Sequence, residues 1–252
     1  MLISASLKSV SSALATLLVL GLAGAAPARA QHATVANPDG SRAVSAAPLR
    51  PLRLQPLFGN LTVAQATQIL GADKLRAITA SFASPAEASA FFANKGFEYL
   101  NENQPDTATY RFNLAWLLDP RNADAYRGLG IIASTQPTPD AAIALLTSGL
   151  ALAPANPLLL RDLGASHLLR YARTKKKKDL TQGFGLLERA TTLDATDAVA
   201  WQQLARGFYY QEKYAEAWAA LHKGQAISFA STDFNFISEL LAKMPDPQGT
   251  IK

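Results

Sequence analysis

The stretch that decides the fold is residues 119–130, which read DPRNADAYRGLG. Pro120 ends a helix, because a proline ring cannot be accommodated inside one. In the helix that follows, the small residue Gly130 stands about one turn after the large aromatic Tyr126. The same pairing of a large and a small residue recurs at Phe92 and Gly96 and at Leu160 and Gly164. A helical unit is therefore repeated along the sequence.

Successive copies of the unit lie 34 residues apart, the spacing of Gly96, Gly130 and Gly164. This period is typical of tetratricopeptide repeats (TPR), each of which is a pair of antiparallel helices. Over residues 85–231 the chain resembles this family. The small residue that the family has at position 8 occurs here at Gly96, Gly130, Gly164 and Ala205. Small residues at these positions allow the two helices of a unit to cross closely.

The resemblance implies an all-α fold, a right-handed superhelical solenoid of about four TPR helix pairs with capping helices at both ends. We expect the units at residues 89–122, 123–156, 157–197 and 198–231. The third has 41 residues and so carries seven more than the period, which we expect in a loop between its helices. Capping helices are predicted within residues 59–84 and 232–244, and residues 245–252 are expected to fray.

The first thirty residues have the pattern of a secretory signal peptide. Lys8 precedes an apolar run over residues 13–26, and residues 28–30 (Ala-Arg-Ala) fit the small-residue rule for cleavage before Gln31. The run is too short to cross a bilayer as a helix, which takes about twenty residues. An uncleaved anchor is the alternative. We expect an exported protein, periplasmic or secreted, with no transmembrane span in the mature chain. Residues 31–58 contain four prolines and are predicted to be a disordered linker.

Composition excludes several classes of protein. The chain has 252 residues, of which 49% are hydrophobic and 17% charged, so it can bury a substantial core. It has no cysteine, which excludes disulfide frameworks, thiolate zinc sites and cysteine nucleophiles. The formal net charge is +5, and removal of Lys8 and Arg29 with the signal peptide would leave a small excess of positive charge. That charge is too small to predict binding to nucleic acid.

The sequence offers no constellation for catalysis. It has three histidines, His32, His167 and His222, and none has a second metal-ligating residue at helical spacing on an expected exposed face. It also has no phosphate-binding loop and no nucleophile elbow. We therefore expect no catalytic residue, no metal and no cofactor, and interpret the protein as a non-enzyme.

In the TPR family the first helices of the units line a concave groove, and the resemblance implies ligand contacts at eight positions. These are Phe97, Arg127, Ile131, Arg161, Leu168, Gln202, Arg206 and Tyr209. Because arginine can grip carboxylates with two hydrogen bonds, an acidic or C-terminal peptide segment is the natural ligand. The alternative is internal pairing of Arg127 with Asp124, and of Arg161 with Asp162 or a neighbour.

A run of four lysines marks the third unit, at Lys175, Lys176, Lys177 and Lys178, and Arg170 and Arg173 precede it. The positive charge of such a run attracts anionic headgroups, acidic polysaccharides or acidic proteins. A loop that is simply exposed to solvent would have the same composition. Two functions are consistent with these features. The first is a monomeric, non-catalytic extracytoplasmic scaffold for a protein or peptide partner. The alternative is a structural protein that associates with the envelope surface through this loop and the basic N-terminal tail.

Overall fold

The computed structural model describes residues 50–137 and 139–250. Within these ranges the chain forms α-helices, short 3-10 turns and connecting segments, and no strand. The helices are α1 (Leu57–Asn60), α2 (Val63–Leu70), α3 (Ala72–Thr79), α4 (Pro85–Asn101), α5 (Pro105–Leu118), α6 (Ala123–Ser134), α7 (Asp140–Leu152), α8 (Pro157–Thr174), α9 (Lys177–Leu193), α10 (Ala198–Tyr210), α11 (Tyr214–Ile227) and α12 (Phe234–Leu241). The expected signal peptide, and the expected linker as far as residue 49, lie outside the described residues.

Four helix pairs form the body: α4 with α5, α6 with α7, α8 with α9, and α10 with α11. All four first helices begin at a side-chain cap, and Ser84, the cap of α4, accepts a hydrogen bond from the amide of Glu87. Asn122, Asn156 and Asp197 each accept hydrogen bonds from two backbone amides in the first turn of α6, α8 and α10 respectively. A cap of this kind satisfies amide groups that the helix itself cannot. The expected all-α solenoid of helix pairs is confirmed.

The two helices of a unit cross at the small residues. A Cβ atom added at Gly130 would lie 2.6 Å from Cγ of Leu146, and one at Gly164 would lie 2.7 Å from Cγ of Leu187. Both distances are far shorter than a van der Waals contact between carbon atoms. A larger residue at either position would therefore push the second helix away from the first.

Large residues fill the space between units. Leu160 of the third unit is completely buried, in a cluster that includes Leu150 of the unit before and Ala200 of the unit after. At an earlier junction, Trp116 donates a hydrogen bond from Nε1 to Oη of Tyr126, at 3.1 Å. A single helix pair cannot bury its apolar face alone, and stacking of neighbouring pairs supplies the core.

The seven extra residues of the third unit do not form a loop, and that expectation is wrong. They lengthen both helices, so that α8 has 18 residues and α9 has 17, against 12 in α6 and 13 in α7. Lys175 ends α8 in the left-handed conformation, with φ of 56°, and α9 begins at Lys177. Only two residues of the lysine run therefore lie between the helices.

Residues 50–58 are ordered, so the expected disorder of residues 31–58 is wrong for this part. Phe58 is buried in the core of the first unit, within a left-handed turn that spans α1. The buried side chain of Asn113 on α5 accepts a hydrogen bond from the amide of Leu57 and donates to the carbonyls of Arg53 and Gln55. Burial of one aromatic ring and these three hydrogen bonds offset the turn-forming tendency of the prolines.

Both ends of the array are covered. Phe236, Ile237 and Leu240 of α12 are buried in one cluster with Trp218 and Leu221 of α11. At the other end, helices α2 and α3 precede the first unit. None of the helices in the described part of the chain is long and apolar enough to cross a membrane.

The tail expected to fray is ordered as far as residue 250. Asp246 is buried, and its carboxylate accepts hydrogen bonds from the amides of Gln248 and Thr250. Just before it, Trp218 donates from Nε1 to the carbonyl of Met244 at 3.1 Å. Fraying is therefore wrong for residues 245–250, because these bonds fix the turn of the tail and Oδ1 of Asp246 lies 3.2 Å from Nε2 of His222 on α11.

Candidate functional site

The first helices of the units form the inner layer of the solenoid. Successive first helices pack more closely on one another than successive second helices do, so the array curves around them. On this inner face a cavity of about 370 Å³ opens between α6, α8 and α10. We call it the groove, and its lining residues are Ile131, Ser134, Leu146, Asp162, Ala165, Ser166, Leu168, Leu169, Gln203, Arg206 and Tyr210.

Helical periodicity places these side chains together. Asp162, Ala165, Ser166 and Leu169 stand at positions i, i+3, i+4 and i+7 of α8, which puts them on one side of the helix. Of the eight residues predicted from the sequence, Ile131, Leu168 and Arg206 line the groove. Leu168 is only 1% exposed and belongs to its floor.

Two of the predicted arginines are engaged inside the protein, as the alternative interpretation proposed. Arg127 donates from Nε to Oδ2 of Asp162 at 2.8 Å, and not to Asp124. Arg161 donates from Nε to Oδ1 of Asp162 at 2.9 Å and from Nη1 to Oδ2 of Asp197 at 2.7 Å. The four side chains form an ion-pair ladder across α6, α8 and the start of α10, and all are largely buried.

The ladder is electrostatically satisfied. Burial lowers the pKa of Arg161, but the carboxylates of Asp162 and Asp197 outweigh it, so the pKa is raised above its ordinary value. A guanidinium held by two carboxylates in this way is not available to a ligand carboxylate. Of the two interpretations of Arg127 and Arg161, internal pairing is the one that these contacts support.

Arg206 is also paired, but closer to the surface. It donates from Nη2 to Oδ2 of Asp233 at 2.8 Å and lies 3.4 Å from Glu239. Its guanidinium stands over the ring of Phe236, with 4.5 Å between the guanidinium carbon and the ring centroid. Asp233 in turn caps the first turn of α12.

The remaining three predicted groove residues lie elsewhere. Phe97 packs edge-on against Phe112 beneath Arg127. Gln202 is buried and hydrogen-bonds the carbonyl of Ser231 and the amide of Asp233. Tyr209 packs among aromatic rings on Tyr210, Tyr214 and Phe236.

Two of the three groove positions of α10 are offset by one residue from those predicted, and Arg206 is the exception. Gln203 and Tyr210 line the cavity where the family pattern indicated Gln202 and Tyr209. One residue corresponds to a rotation of about 100° around the helix axis. The aspartates that pair with Arg161 and Arg206 can be recognised in the sequence as helix caps. Asp197 and Asp233 each stand two residues before the first backbone amide that they cap.

The lysine run lies at the turn between α8 and α9. Lys175 stands over the rings of Tyr171 and Tyr210, at 5.5 and 6.0 Å from their centroids. Lys176 and Lys178 line a second cavity, whereas Lys177 is the first residue of α9.

Two of the three histidines have identified neighbours. Nδ1 of His167 lies 2.9 Å from Oδ1 of Asp179, and both side chains are buried. His222 stacks on Trp218 with 5.5 Å between ring centroids. His32 lies outside the described residues. In the described part of the chain, no group of three or more metal-ligating side chains converges.

Comparison with solved structures defines the class of fold. PilF of Pseudomonas aeruginosa is similar over 66% of this chain and 74% of its own, with 21% sequence identity and a TM-score of 0.52. The chain is also similar to MamA, with 16% identity over 62% of this chain and 91% of MamA and a TM-score of 0.44. A third similar structure is the APC/C complex Cut9–Hcn1, with 20% identity over 72% of this chain and 41% of that one and a TM-score of 0.38.

The fold is therefore that of a TPR-like helical solenoid, as the likeness to PilF shows. No family model matches the sequence. No curated protein sequence matches it significantly either.

Proposed function

We propose that the protein is an exported, non-catalytic scaffold that binds a segment of a protein partner in the groove. The observation that carries the proposal is the position of the cavity, because three successive first helices contribute its walls. A solenoid of this kind presents a continuous inner surface for an extended or helical segment.

The groove combines an apolar floor with a polar rim. Ile131, Leu168 and Leu169 supply apolar surface, and Ser134 and Gln203 supply groups that can hydrogen-bond a peptide backbone. Its volume of about 370 Å³ is large enough to take one or two side chains of a partner. An apolar anchor residue seated here, with hydrogen bonds to the rim, is the ligand that this lining fits.

Internal ion pairs make the groove rigid before a ligand arrives. The ladder of Arg127, Asp162, Arg161 and Asp197 ties α6 to α8 and α8 to α10. A preformed surface reduces the ordering that binding requires. Because Arg161 is held by two carboxylates, Arg127 is paired with Asp162 and neither arginine lines the groove, we propose that apolar anchoring dominates.

Export and a monomeric state belong to the same proposal and rest on the sequence. The pattern of residues 1–30 supports cleavage before Gln31. Terminal sequencing of the native protein should therefore begin at Gln31, with the protein in a periplasmic or culture fraction. An intact Met1 in the cytosolic fraction would contradict export. Light scattering coupled to gel filtration should give the mass of one chain.

The test of groove binding is affinity capture from envelope extract with a matched pair of variants. Ala165→Arg places a long side chain inside the groove, and Ala151→Arg makes the same change at an exposed position of α7 outside it. A partner that the wild type and Ala151→Arg retain but Ala165→Arg loses would support the proposal. Equal retention by both variants would contradict it.

The alternative, association with an anionic envelope surface, is favoured by one observation. The cations of the lysine run stand where α8 and α9 extend beyond the helices of the neighbouring unit. Cosedimentation with anionic vesicles should then fall steeply between low and high salt, because exposed charges are screened beyond a Debye length of about 10 Å at 0.1 M. Groove binding through apolar contacts should persist at the same ionic strengths.

A further inference from the structure

A second cavity, of about 520 Å³, opens between the turn joining α8 to α9 and the beginning of α7. We call it the basic cleft, and the charged residues that line it are Asp140, Arg170, Arg173, Lys176, Lys178 and Asp179. It does not share a lining residue with the groove. Any ligand of the basic cleft is therefore independent of the function proposed for the groove.

The extra length of the third unit creates this cleft. Helix α8 has six residues more than α6, so it continues for about 9 Å further at a rise of 1.5 Å per residue. The additional turns carry Arg170 and Arg173 past the end of the neighbouring unit. Lys176 and Lys178 then follow at the turn into α9. A unit of ordinary length would have no wall here.

Both carboxylates of the cleft are paired with the same cation, Arg170. Arg170 donates from Nη1 to Asp140 at 2.7 Å and from Nη2 to Oδ1 of Asp179 at 2.6 Å. The hydrogen bond from Arg170, with a further contribution from His167, lowers the pKa of Asp179, so this buried group stays ionised. The same two carboxylates raise the pKa of Arg170. With four cations against these two carboxylates, the lining of the cleft keeps two positive charges in excess.

Three cations of the cleft have no carboxylate partner in the described part of the chain: Arg173, Lys176 and Lys178. Two of them also stand at the start of α9, whose first turn is not capped by any side chain. The amino end of a helix carries a partial positive charge, which Asp179 in the first turn of α9 balances in part, and the lysines beside it repel this charge and one another. An anion bound between these groups would relieve both repulsions.

We propose that the basic cleft binds a phosphate group. Phosphate offers several acceptor oxygens to donors that approach from different directions, which suits Arg173, Lys176 and Lys178 around a cavity of this size. The group could be free inorganic or small-molecule phosphate, or the headgroup of an anionic lipid. The chemistry of recognition is the same for both sources, and the experiment separates them.

Alternate lysines of one run give a matched test. Lys176→Gln/Lys178→Gln removes two charges that line the cleft, and Lys175→Gln/Lys177→Gln removes two that do not, from the same four residues. Inorganic phosphate is titrated into the purified wild type and both double variants, and binding is followed by amide chemical shifts. Circular dichroism and thermal unfolding confirm that each variant is folded.

We expect the cleft variant to bind phosphate about tenfold more weakly than the wild type and the other double variant to stay within about twofold. Equal weakening in both variants, or binding by the wild type of neither inorganic phosphate nor phosphatidylglycerol vesicles, would overturn the proposal. In a parallel arm, vesicles of phosphatidylglycerol and of phosphatidylcholine are sedimented with each protein.

The vesicle arm identifies the source of the phosphate. Retention on phosphatidylglycerol that only the cleft variant loses would assign a lipid headgroup. Phosphate binding without vesicle binding would assign a soluble ligand. Both of these results would support the proposal that the basic cleft binds a phosphate group. Vesicle binding that both double variants weaken equally, without binding of free phosphate, would show a diffuse charged surface and refute it.

Discussion

Arg161 donates from Nη1 to Oδ2 of Asp197 at 2.7 Å, while Oδ1 of the same carboxylate accepts from the amides of Val199 and Ala200. A single aspartate thus caps α10 and binds the helix of the preceding unit. The pairing of Arg206 with Asp233, the cap of α12, repeats this relationship one step along the array. Local helix capping and the stacking of units are therefore achieved by the same side chains.

Removal of Arg161 tests this coupling. Arg161→Gln leaves Asp162 and Asp197 without their shared partner in a largely buried position, and we expect the free energy of unfolding to fall by about 3 kcal/mol. Lys95→Gln is the control, because Lys95 pairs with Glu98 on the exposed surface of α4, and its loss should change little. Urea unfolding measures the free energy of unfolding of both variants. Equal effects of the two substitutions would show that the ladder does not hold the units together.

The close crossing of helices can be tested with two glycines. Gly130→Val would place atoms inside the contact with Leu146, and we expect a loss of about 3 kcal/mol in stability. Gly185→Ala is the control, because a Cβ atom there meets nothing within 4 Å and alanine favours the helical conformation of α9 by about 1 kcal/mol. Opposite shifts in the thermal midpoint are expected. A neutral Gly130→Val variant would contradict the packing.

Asn113 holds residues 53–57 onto the first unit. Asn113→Ala removes all three of its hydrogen bonds to that segment, and we expect a loss of about 2 kcal/mol together with faster proteolysis within residues 50–60. Asn235→Ala, at an exposed position of α12, serves as the comparison. Limited proteolysis with mass analysis locates the cut. Unchanged protection of the segment would mean that burial of Phe58 alone fixes it.

Acid should weaken the contact of Asp179 with Arg170. The pKa of Asp179 is lowered in the folded protein, chiefly by the hydrogen bond from Arg170, so its contribution to stability is complete above the ordinary value of 3.8. That contribution is lost as the pH falls through the folded pKa. We expect Asp179→Asn to reduce stability by about 2 kcal/mol at pH 7, and the difference from wild type to shrink below about pH 4.

Asp140→Asn is the matched control for that pH series, because Asp140 is the exposed carboxylate on the same arginine. Its effect should be below about 1 kcal/mol at pH 7. Stability curves between pH 3 and pH 7 distinguish the two variants. A constant difference between Asp179→Asn and wild type over this range would show that folding does not lower the pKa of Asp179.

The repeat was predictable because packing requires it. The small residues Gly96, Gly130 and Gly164 recur wherever two helices of a unit cross, and the period follows from that contact. The lengthening of α8 and α9 was not predictable from the same pattern. An insertion shifts the register equally whether it forms a loop or adds turns to two helices, and the lysines in it favoured the loop.

The groove was predicted less well than the fold. The family pattern identified Ile131, Leu168 and Arg206, but it could not detect that Asp162 and Asp197 would neutralise Arg127 and Arg161. Those pairs join residues about 35 positions apart, in different units. Their formation depends on the stacking geometry, which sequence spacing does not specify to within one residue.

Site-specific photo-crosslinking in living cells tests the central claim most directly. A benzophenone amino acid is placed at Ala165 inside the groove or, as the control, at Ala151 on α7. The scaffold account predicts a discrete adduct with one protein partner from position 165 and none from position 151. Adducts from position 151 alone, or the same adducts from both positions, would contradict binding in the groove.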